Sequence, residues 1–373
     1  MKKLLALLLV LSMLLAGCAP ASGTGGEAET PETRTVTDDT GREIEVPGVI
    51  DRVVIISTMP LASVYCMVAG SGEKLVGLTP SSANAALNSF VVKIAPQVES
   101  VSTKFAQGGT VNVEEVLLLE PDVVFYNTNN AADCEAVTKL ETAGVACVGF
   151  STTIDDNNTV ETFNSWVLLL GETLGEDLQA GEIVDYGRKV QSIVAERVAE
   201  IPEDARRSAL ILANYNQSAI TAAGSTFGRY WLSAIGAVNV AAEIAQPIAP
   251  VNLEQIYAWD PDVIFLNSFS GFTAAEVMAS AAVEGHDWSG LSAVKSGEVY
   301  KMPLGMYYWF PPCSDSPLAL LWMAKRLYPE QFADIDLDQT VKNYYEEFYG
   351  LVLTDEDLAT IYNPPAESAM ATP

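Results

Sequence analysis

The sequence predicts an α/β fold of two Rossmann-like lobes with mainly parallel sheets, joined by one long α-helix. Three observations predict it. First, residues 111–127, VNVEEVLLLEPDVVFYN, return at 251–267 as VNLEQIYAWDPDVIFLN, sharing Val, Asn, Glu, Pro, Asp, Val, Phe and Asn at matched positions. Second, each copy reads as a short helix stopped by Pro121 or Pro261, then an apolar run suited to a strand buried on both faces. Repeated helix–strand units point to a mainly parallel sheet. Third, apolar residues recur at helical spacing between Thr159 and Ile201, separating the two copies.

In chain order, Lys2-Lys3, the apolar run 4–15 and Leu15-Ala16-Gly17-Cys18 read as a secretory signal over residues 1–18, ending in a lipobox. The apolar run is too short for a convincing membrane span. Residues 19–34 (APASGTGGEAETPETR) carry almost no apolar mass and read as a flexible tether. Its reach is roughly 20–24 Å.

The first lobe occupies 35–157. TVTDD and EIEVP flank Thr40-Gly41-Arg42 as a hairpin, followed by a strand at 52–57, a helix at 60–69 and a strand at 74–78. The first repeat copy comes next, then a helix at 132–143 and a strand at 145–150. Residues 158–202 form a helical connector with a break near Gly171 and Gly175. Its second piece, about 177–200, is roughly 36 Å long at 1.5 Å per residue, a strut that restricts lobe closure.

The second lobe occupies 203–363, with a strand at 209–213, a helix at 228–235, the second repeat copy, a strand at 299–302, and helices at 318–327 and 341–349. Residues 364–373 read as a loose tail.

The repeat carries local chemistry. Asn112 and Asn252 suit helix caps, and Glu115 and Gln255, three residues on, complete capping boxes. Glu114 and Glu254 stand in matched first turns. They either complement the helix dipole or present equivalent surface carboxylates, one per half, to a two-fold basic partner. The polar strand ends, Asn127-Thr128-Asn129 and Asn267-Ser268, fall where open α/β sheets bind ligands.

Composition narrows the function. With 49% hydrophobic and 18% charged residues, the bulk of the chain is not disordered. Net charge is −28; without the leader's Lys2 and Lys3, 18 of the 20 basic residues face 48 acidic ones, giving −30. That balance excludes nucleic-acid binding through a basic surface and disfavours anionic lipid. It suits a basic partner.

Of the cysteines beyond Cys18, Cys66 reads as a core filler. Outside the cytoplasm a disulfide is allowed, and Cys134 and Cys147 are the only pair close in sequence; no spacing suggests zinc. No HExxH, P-loop or GxGxxG appears. The single histidine, His286, reads as an exposed loop residue. GSTFG at 224–228 loosely resembles a nucleophile elbow, but Thr226 replaces the serine. It reads as a turn opening a helix whose backbone N–H groups meet a polar ligand. No catalytic residue, cofactor or metal site is expected, and the chain is not expected to be an enzyme.

The lipobox, the tether, the repeated N-[VL]-E-x-[IV]…PD-V motif and the long joining helix resemble one family in their order. So do the opening VTDDTGREIEVP and segments 224–240 and 291–303 (LSAVKSGEVYKMP). The resemblance is to the substrate-binding proteins of ABC importers for iron–siderophore, haem and cobalamin, the rigid class linked by a single helix. It covers about residues 35–349. It implies a monomeric lipoprotein anchored through Cys18 on the extracytoplasmic face of a bacterial membrane, serving an ABC permease dimer with its ATPase. Glu114 and Glu254 would dock into arginine pockets on that dimer.

The ligand would lie between the lobes. Candidate binding residues are Ser57, Thr58, Ser81, Lys104, Gln107, Asn127 and Thr128 in the first lobe. In the second they are Tyr215, Asn216, Arg229, Tyr230, Ser268, Tyr307, Tyr308 and Trp309. The aromatic run 306–310 (MYYWF) would be either ordinary packing or a flat wall for a chelate or macrocycle. The leading expectation is a metal chelate. The cleft candidates hold only Lys104 and Arg229 as basic groups, few for a highly anionic catecholate. Segment 309–327 also resembles members that bind molybdate or tungstate, so an oxyanion held by N–H groups and hydroxyls stays open. Outside this class, an exported enzyme or a sensor lipoprotein could use the same cleft.

Overall fold

The computed structural model describes residues 33–58 and 60–365. The lipobox, Cys18, most of the tether and the tail from residue 366 lie outside the described residues.

The chain opens earlier than expected, with a hairpin of β1 (Thr33–Thr37) and β2 (Glu43–Pro47). Asp38 closes its turn by accepting from Thr40 N, Arg42 N and the Arg42 guanidinium. Next come β3 (Val53–Ile55), α1 (Leu61–Ala69), β4 (Leu75–Leu78), α2 (Pro80–Leu87) and α3 (Val91–Ile94). A small hairpin, β5 (Ala106–Gln107) and β6 (Thr110–Val111), leads into α4 (Val113–Leu117) and β7 (Val123–Asn127). Then α5 (Ala131–Thr142) and β8 (Ala146–Phe150) complete the first lobe. Its main sheet runs β4-β3-β7-β8, with every pairing parallel.

The connector is α6 (Thr159–Leu174) followed by α7 (Asp177–Ala199). The break falls at Gly175 rather than Gly171. Gly175 adopts φ +79°, which a side chain would resist, while Gly171 stays helical against Ala180.

The second lobe contains β9 (Ser208–Tyr215), β10 (Ile220–Ala223), α8 (Phe227–Ala234), β11 (Val238–Asn239), β12 (Ile248–Val251), α9 (Leu253–Trp259) and β13 (Val263–Leu266). It continues with α10 (Ala274–Met278), α11 (Ser292–Ser296), β14 (Val299–Lys301), α12 (Ser316–Leu327), α13 (Leu337–Tyr349) and α14 (Asp355–Tyr362). The order β12-β10-β9-β13-β14 is parallel from β9 onward, but β10 and β12 are antiparallel. Those two short strands, like α2 and α14, have no counterpart in the sequence reading.

The repeat folds twice alike. Asn112 accepts from Glu114 N and Glu115 N, and Asn252 accepts from Gln255 N. The expected capping boxes are only half made, since no reciprocal bond from Glu115 or Gln255 accompanies these caps; full boxes occur instead at α10 and α14. Glu120 and Asp260, each before a proline, take matched left-handed turns at φ 46° and 42°. The aspartates after those prolines hold the first strand of each lobe's main sheet. Asp122 Oδ2 accepts from Asp51 N and Arg52 N, and Asp262 Oδ2 from Ser208 N and Oγ.

The connector becomes core as well as strut. One cluster runs from Val53, Ile55 and Phe125 through Val167, Leu170, Val190 and Val194 to Ile211 and Phe265. Gln179 Nε2 near the start of α7 donates to Met67 O at 2.7 Å, and Arg197 near its end pairs with Asp334 at 2.6 Å. Helix α7 is thus bonded to the first lobe at one end and to the second at the other. Its buried face removes apolar surface of both lobes from water.

Cys66, Cys134, Cys147 and Cys313 are free thiols. Cys134 and Cys147 lie on α5 and β8, and each sulfur turns to a backbone carbonyl instead.

Candidate ligand cleft

Strand order locates the cleft. From β3 the first-lobe chain moves to β4 on one side, then returns to β7 on the other. From β9 the second-lobe chain moves to β10, then crosses to β13. Each reversal opens a crevice at the carboxyl ends of the two central strands. Ser57 and Thr58 follow β3, and Asn127 and Thr128 end or follow β7. Asn216 follows β9, and Asn267 and Ser268 follow β13.

The two carboxyl edges face each other. Ser63 Oγ, at the start of α1, meets Ser314 Oγ at 3.1 Å. Phe90 N donates to Gly305 O at 2.9 Å. Ala85 of α2 joins Leu304, Tyr307, Tyr308 and Cys313 in one buried cluster, with Phe269 packed against it. Phe269 and Tyr308 ring centroids lie 4.7 Å apart. The aromatic run therefore closes on the first lobe rather than standing as an open wall; Tyr307, Tyr308 and Trp309 are 2%, 0% and 0% exposed.

Three hydroxyls on these edges are buried without a hydrogen-bond partner: Thr58 Oγ1, Ser268 Oγ and Tyr307 Oη. Thr58 also sits at φ 56°, a strained setting for a β-branched residue. Burial raises the Tyr307 phenol well above its ordinary value, so it stays a neutral donor.

The other predicted residues have settled roles. Ser57 Oγ accepts from Asn127 N at 2.8 Å and ties β3 to β7. Its hydroxyl also bonds Asp133, whose carboxyl burial raises. Asn127 accepts from Asn129 N, Thr128 donates to Phe150 O, and Asn216 accepts from Ser218 N and Ala219 N. Trp309 Nε1 donates to Asp315 at 2.9 Å. Ser81, Lys104, Gln107 and Arg229 are exposed.

Tyr230 lies against the connector, bonded to Gln191 and Val160, and burial pushes it up to about 12. Tyr215 is drawn into the second-lobe core, where Trp288 Nε1 donates to its Oη at 3.1 Å. His286 is a correction: it is half-buried and stacked on Tyr215 at 5.8 Å, with Nδ1 at 3.1 Å from Oη. The GSTFG turn opens α8, but Gly224 N and Ser225 N are already bonded to Pro247 O and Gln246 O. Two polar residues escaped the sequence reading: Asp133, and Asp315, which is fully buried beneath the aromatic run. Each resembles an ordinary helix-start acid, so no local signal marks it.

Glu114 and Glu254 are exposed, and their side chains have no hydrogen bond or ion pair among the described residues. Beside Glu254 lies a surface hollow of about 550 Å³, reaching from Gln217 to His286. Among the described residues no group of acids, histidines or cysteines could hold a metal ion. No described helix is long and apolar enough to cross a membrane.

The sequence profile of the family described as "Periplasmic binding protein" matches residues 53–304. The molybdate-binding protein MolA of Haemophilus influenzae is 26% identical over 332 residues, covering 85% of this chain and 91% of that protein. The uncharacterized ABC transporter substrate-binding lipoprotein YvrC of Bacillus subtilis is 28% identical, covering 88% and 98%. The Fe(3+)-citrate-binding protein YfmC of the same organism is 21% identical, covering 87% and 96%. A solved periplasmic solute binding protein from Veillonella parvula superposes with a TM-score of 0.81 at 30% identity, covering 89% of this chain and 97% of that one.

Proposed function

Because the chain belongs to the periplasmic binding protein family, as the substrate-binding protein of an ABC transporter, we propose that it captures a small tetrahedral oxyanion of the molybdate or tungstate class between its lobes. Proteins of this kind bind solutes rather than transform them, and work with a permease and an ATPase. The observation that carries the oxyanion reading is the set of buried, unpartnered hydroxyls, Thr58 Oγ1, Ser268 Oγ and Tyr307 Oη, on the facing carboxyl edges. Hydroxyl donors suit a dianion in a water-poor cleft, because each bond to a charged acceptor is stronger there. The basic candidates Lys104 and Arg229 are exposed, and the aromatic run fills space that a large chelate would need. Similarity to the molybdate-binding protein MolA supports the same ligand class.

Calorimetric titration with molybdate, tungstate, sulfate, ferric citrate and haemin tests the reading. Saturable binding of molybdate or tungstate by the wild type, weakened about tenfold or more in Thr58→Val, is the expected result. Binding of ferric citrate or haemin in preference to both oxyanions would replace it with the metal-chelate reading. Similarity to the Fe(3+)-citrate-binding protein YfmC keeps that second reading in view.

The same proposal includes anchoring through Cys18 and docking through Glu114 and Glu254. The two acids occupy equivalent, exposed first turns of the repeat. Glu114→Ala with Glu254→Ala should leave ligand affinity intact and abolish uptake by cells, measured with radiolabelled ligand. Undiminished uptake would remove the docking role.

A further inference from the structure

The segment that lays Tyr307 and Tyr308 across the cleft has only one isolated bridge, Leu304 to Tyr308, between Leu304 and Phe310. Something must hold it. Backbone bonds from Phe90 N to Gly305 O and from Trp309 N to Pro303 O contribute, and one oxygen gathers three more groups: Asp315 Oδ2 accepts from Met306 N at 2.8 Å, from Trp309 Nε1 at 2.9 Å and from Tyr345 Oη at 3.0 Å. Tyr345 Oη lies 3.0 Å from Met306 N as well, closing the ring of contacts on α13. The space admits nothing larger, since a Cβ on Gly305 would lie 2.1 Å from Tyr345 Oη and 2.3 Å from Asp315 Oδ2.

Asp315 is fully buried, its other oxygen has no partner, and no lysine or arginine pairs with it among the described residues. A buried carboxylate so placed is costly to keep unless it does something. The titratable groups facing it are Cys313 on its own segment and Tyr344, Tyr345 and Tyr349 on α13. Burial raises all of them, so they remain neutral while Asp315 titrates.

We propose that Asp315 is the positioning residue of the ligand cleft: its carboxylate gathers the backbone and indole of loop 305–310 and thereby fixes the Tyr307 hydroxyl that meets the ligand. The inference rests on the cleft reading above, but its first test needs no ligand. The bonds from Met306, Trp309 and Tyr345 favour the charged form, so while Asp315 stays buried its protonation weakens them and the loop loosens as pH falls, whereas global unfolding, which also hydrates the carboxyl, responds to pH in the opposite sense. Burial raises that carboxyl to about 6, which places the change in a mild acidic range.

Hydrogen exchange of peptide 304–311 is compared in the full chain, in Asp315→Asn and in Tyr345→Phe, at pH 7.5 and at pH 5. Intrinsic exchange is identical, because the peptide is unaltered. At pH 7.5 the loop of Asp315→Asn should exchange about tenfold faster than wild type, with the difference shrinking at pH 5. Tyr345→Phe, which keeps the carboxylate, should lie between the two and retain the pH dependence. Equal loop exchange in wild type and Asp315→Asn at pH 7.5 overturns the positioning role, as does a difference that does not change with pH.

A molybdate titration of the same proteins is the second arm. A dissociation constant raised about tenfold in Asp315→Asn at pH 7.5, and rising in wild type alone as pH falls, supports the proposal. A loosened loop with unchanged molybdate affinity overturns the link to the cleft. A loosened loop in Asp315→Asn, beside a wild type that binds no molybdate, upholds Asp315 as the loop's holder and sinks the oxyanion reading instead.

Discussion

Tyr307→Phe should stabilise the ligand-free protein and cripple it as a binder. The phenol of Tyr307 is 2% exposed, and its Oη has no hydrogen-bond partner. Leaving such a group unpaired away from water costs about 1–3 kcal/mol. Phenylalanine keeps the ring, and with it the packing on Ala85, Leu304 and Tyr308. The variant should therefore gain about 1–3 kcal/mol in ligand-free denaturant unfolding, with an unchanged denaturant slope. On the oxyanion reading proposed above, the same hydroxyl would donate to a charged acceptor in the ligand-bound protein, a bond worth about 1.5–3 kcal/mol. Its loss should raise the dissociation constant about 10- to 100-fold. Urea titrations and calorimetry on one preparation give both numbers. A ligand-free variant less stable than wild type would mean that Oη already has a partner. A more stable variant with unaltered affinity would remove Tyr307 from the ligand's contacts.

Other outcomes follow from the same geometry. Asp315 has a folded-state value of about 6 against an ordinary 3.8, so between those values the folded chain holds more protons than the unfolded one. Its stability contribution should fall as pH rises through that window, by about 3 kcal/mol, read as the wild-type minus Asp315→Asn difference in unfolding free energy. A difference that rises or stays flat between pH 4 and 7 contradicts the assignment. Asp122→Ala and Asp262→Ala should each cost about 1–3 kcal/mol, because the first leaves Asp51 N and Arg52 N, and the second Ser208 N and Oγ, without their acceptor at the start of a main-sheet strand. Unequal effects, with one near zero, would break the equivalence of the two repeat copies. Gly175→Ala should destabilise by about 1 kcal/mol or more, measured by thermal unfolding, since alanine resists φ +79° and its Cβ would meet Arg34.

The duplicated segment, the proline stops and the long helical stretch were readable in the amino-acid order because each is a local preference: a cap, a broken hydrogen-bond ladder, a 3.6-residue period. They determined two α/β lobes and a joining helix, and from the motif order, the family. Strands β10 and β12 were not readable. Ile220–Ala223 gains its place only from pairing with β9, and Ile248–Val251 only from pairing with β10. The site divides the same way. Placing Ser57, Thr58, Asn127 and Ser268 at strand ends needed only the strand assignments. Whether their hydroxyls are free depends on residues far along the chain: Ser57 is engaged by Asn127 N, while Ser268 Oγ has no partner. Tyr215 and Tyr307 look alike as tyrosines beside polar turns, yet one is bonded by Trp288 and the other meets Ala85 across the lobes. Asp315 stands at the N-cap position of α12 without a side-chain cap bond, and tertiary packing makes it a buried acceptor for Met306, Trp309 and Tyr345. Local propensity fixes which element a residue joins; desolvation and partner choice, which set its chemistry, exist only once distant segments have packed.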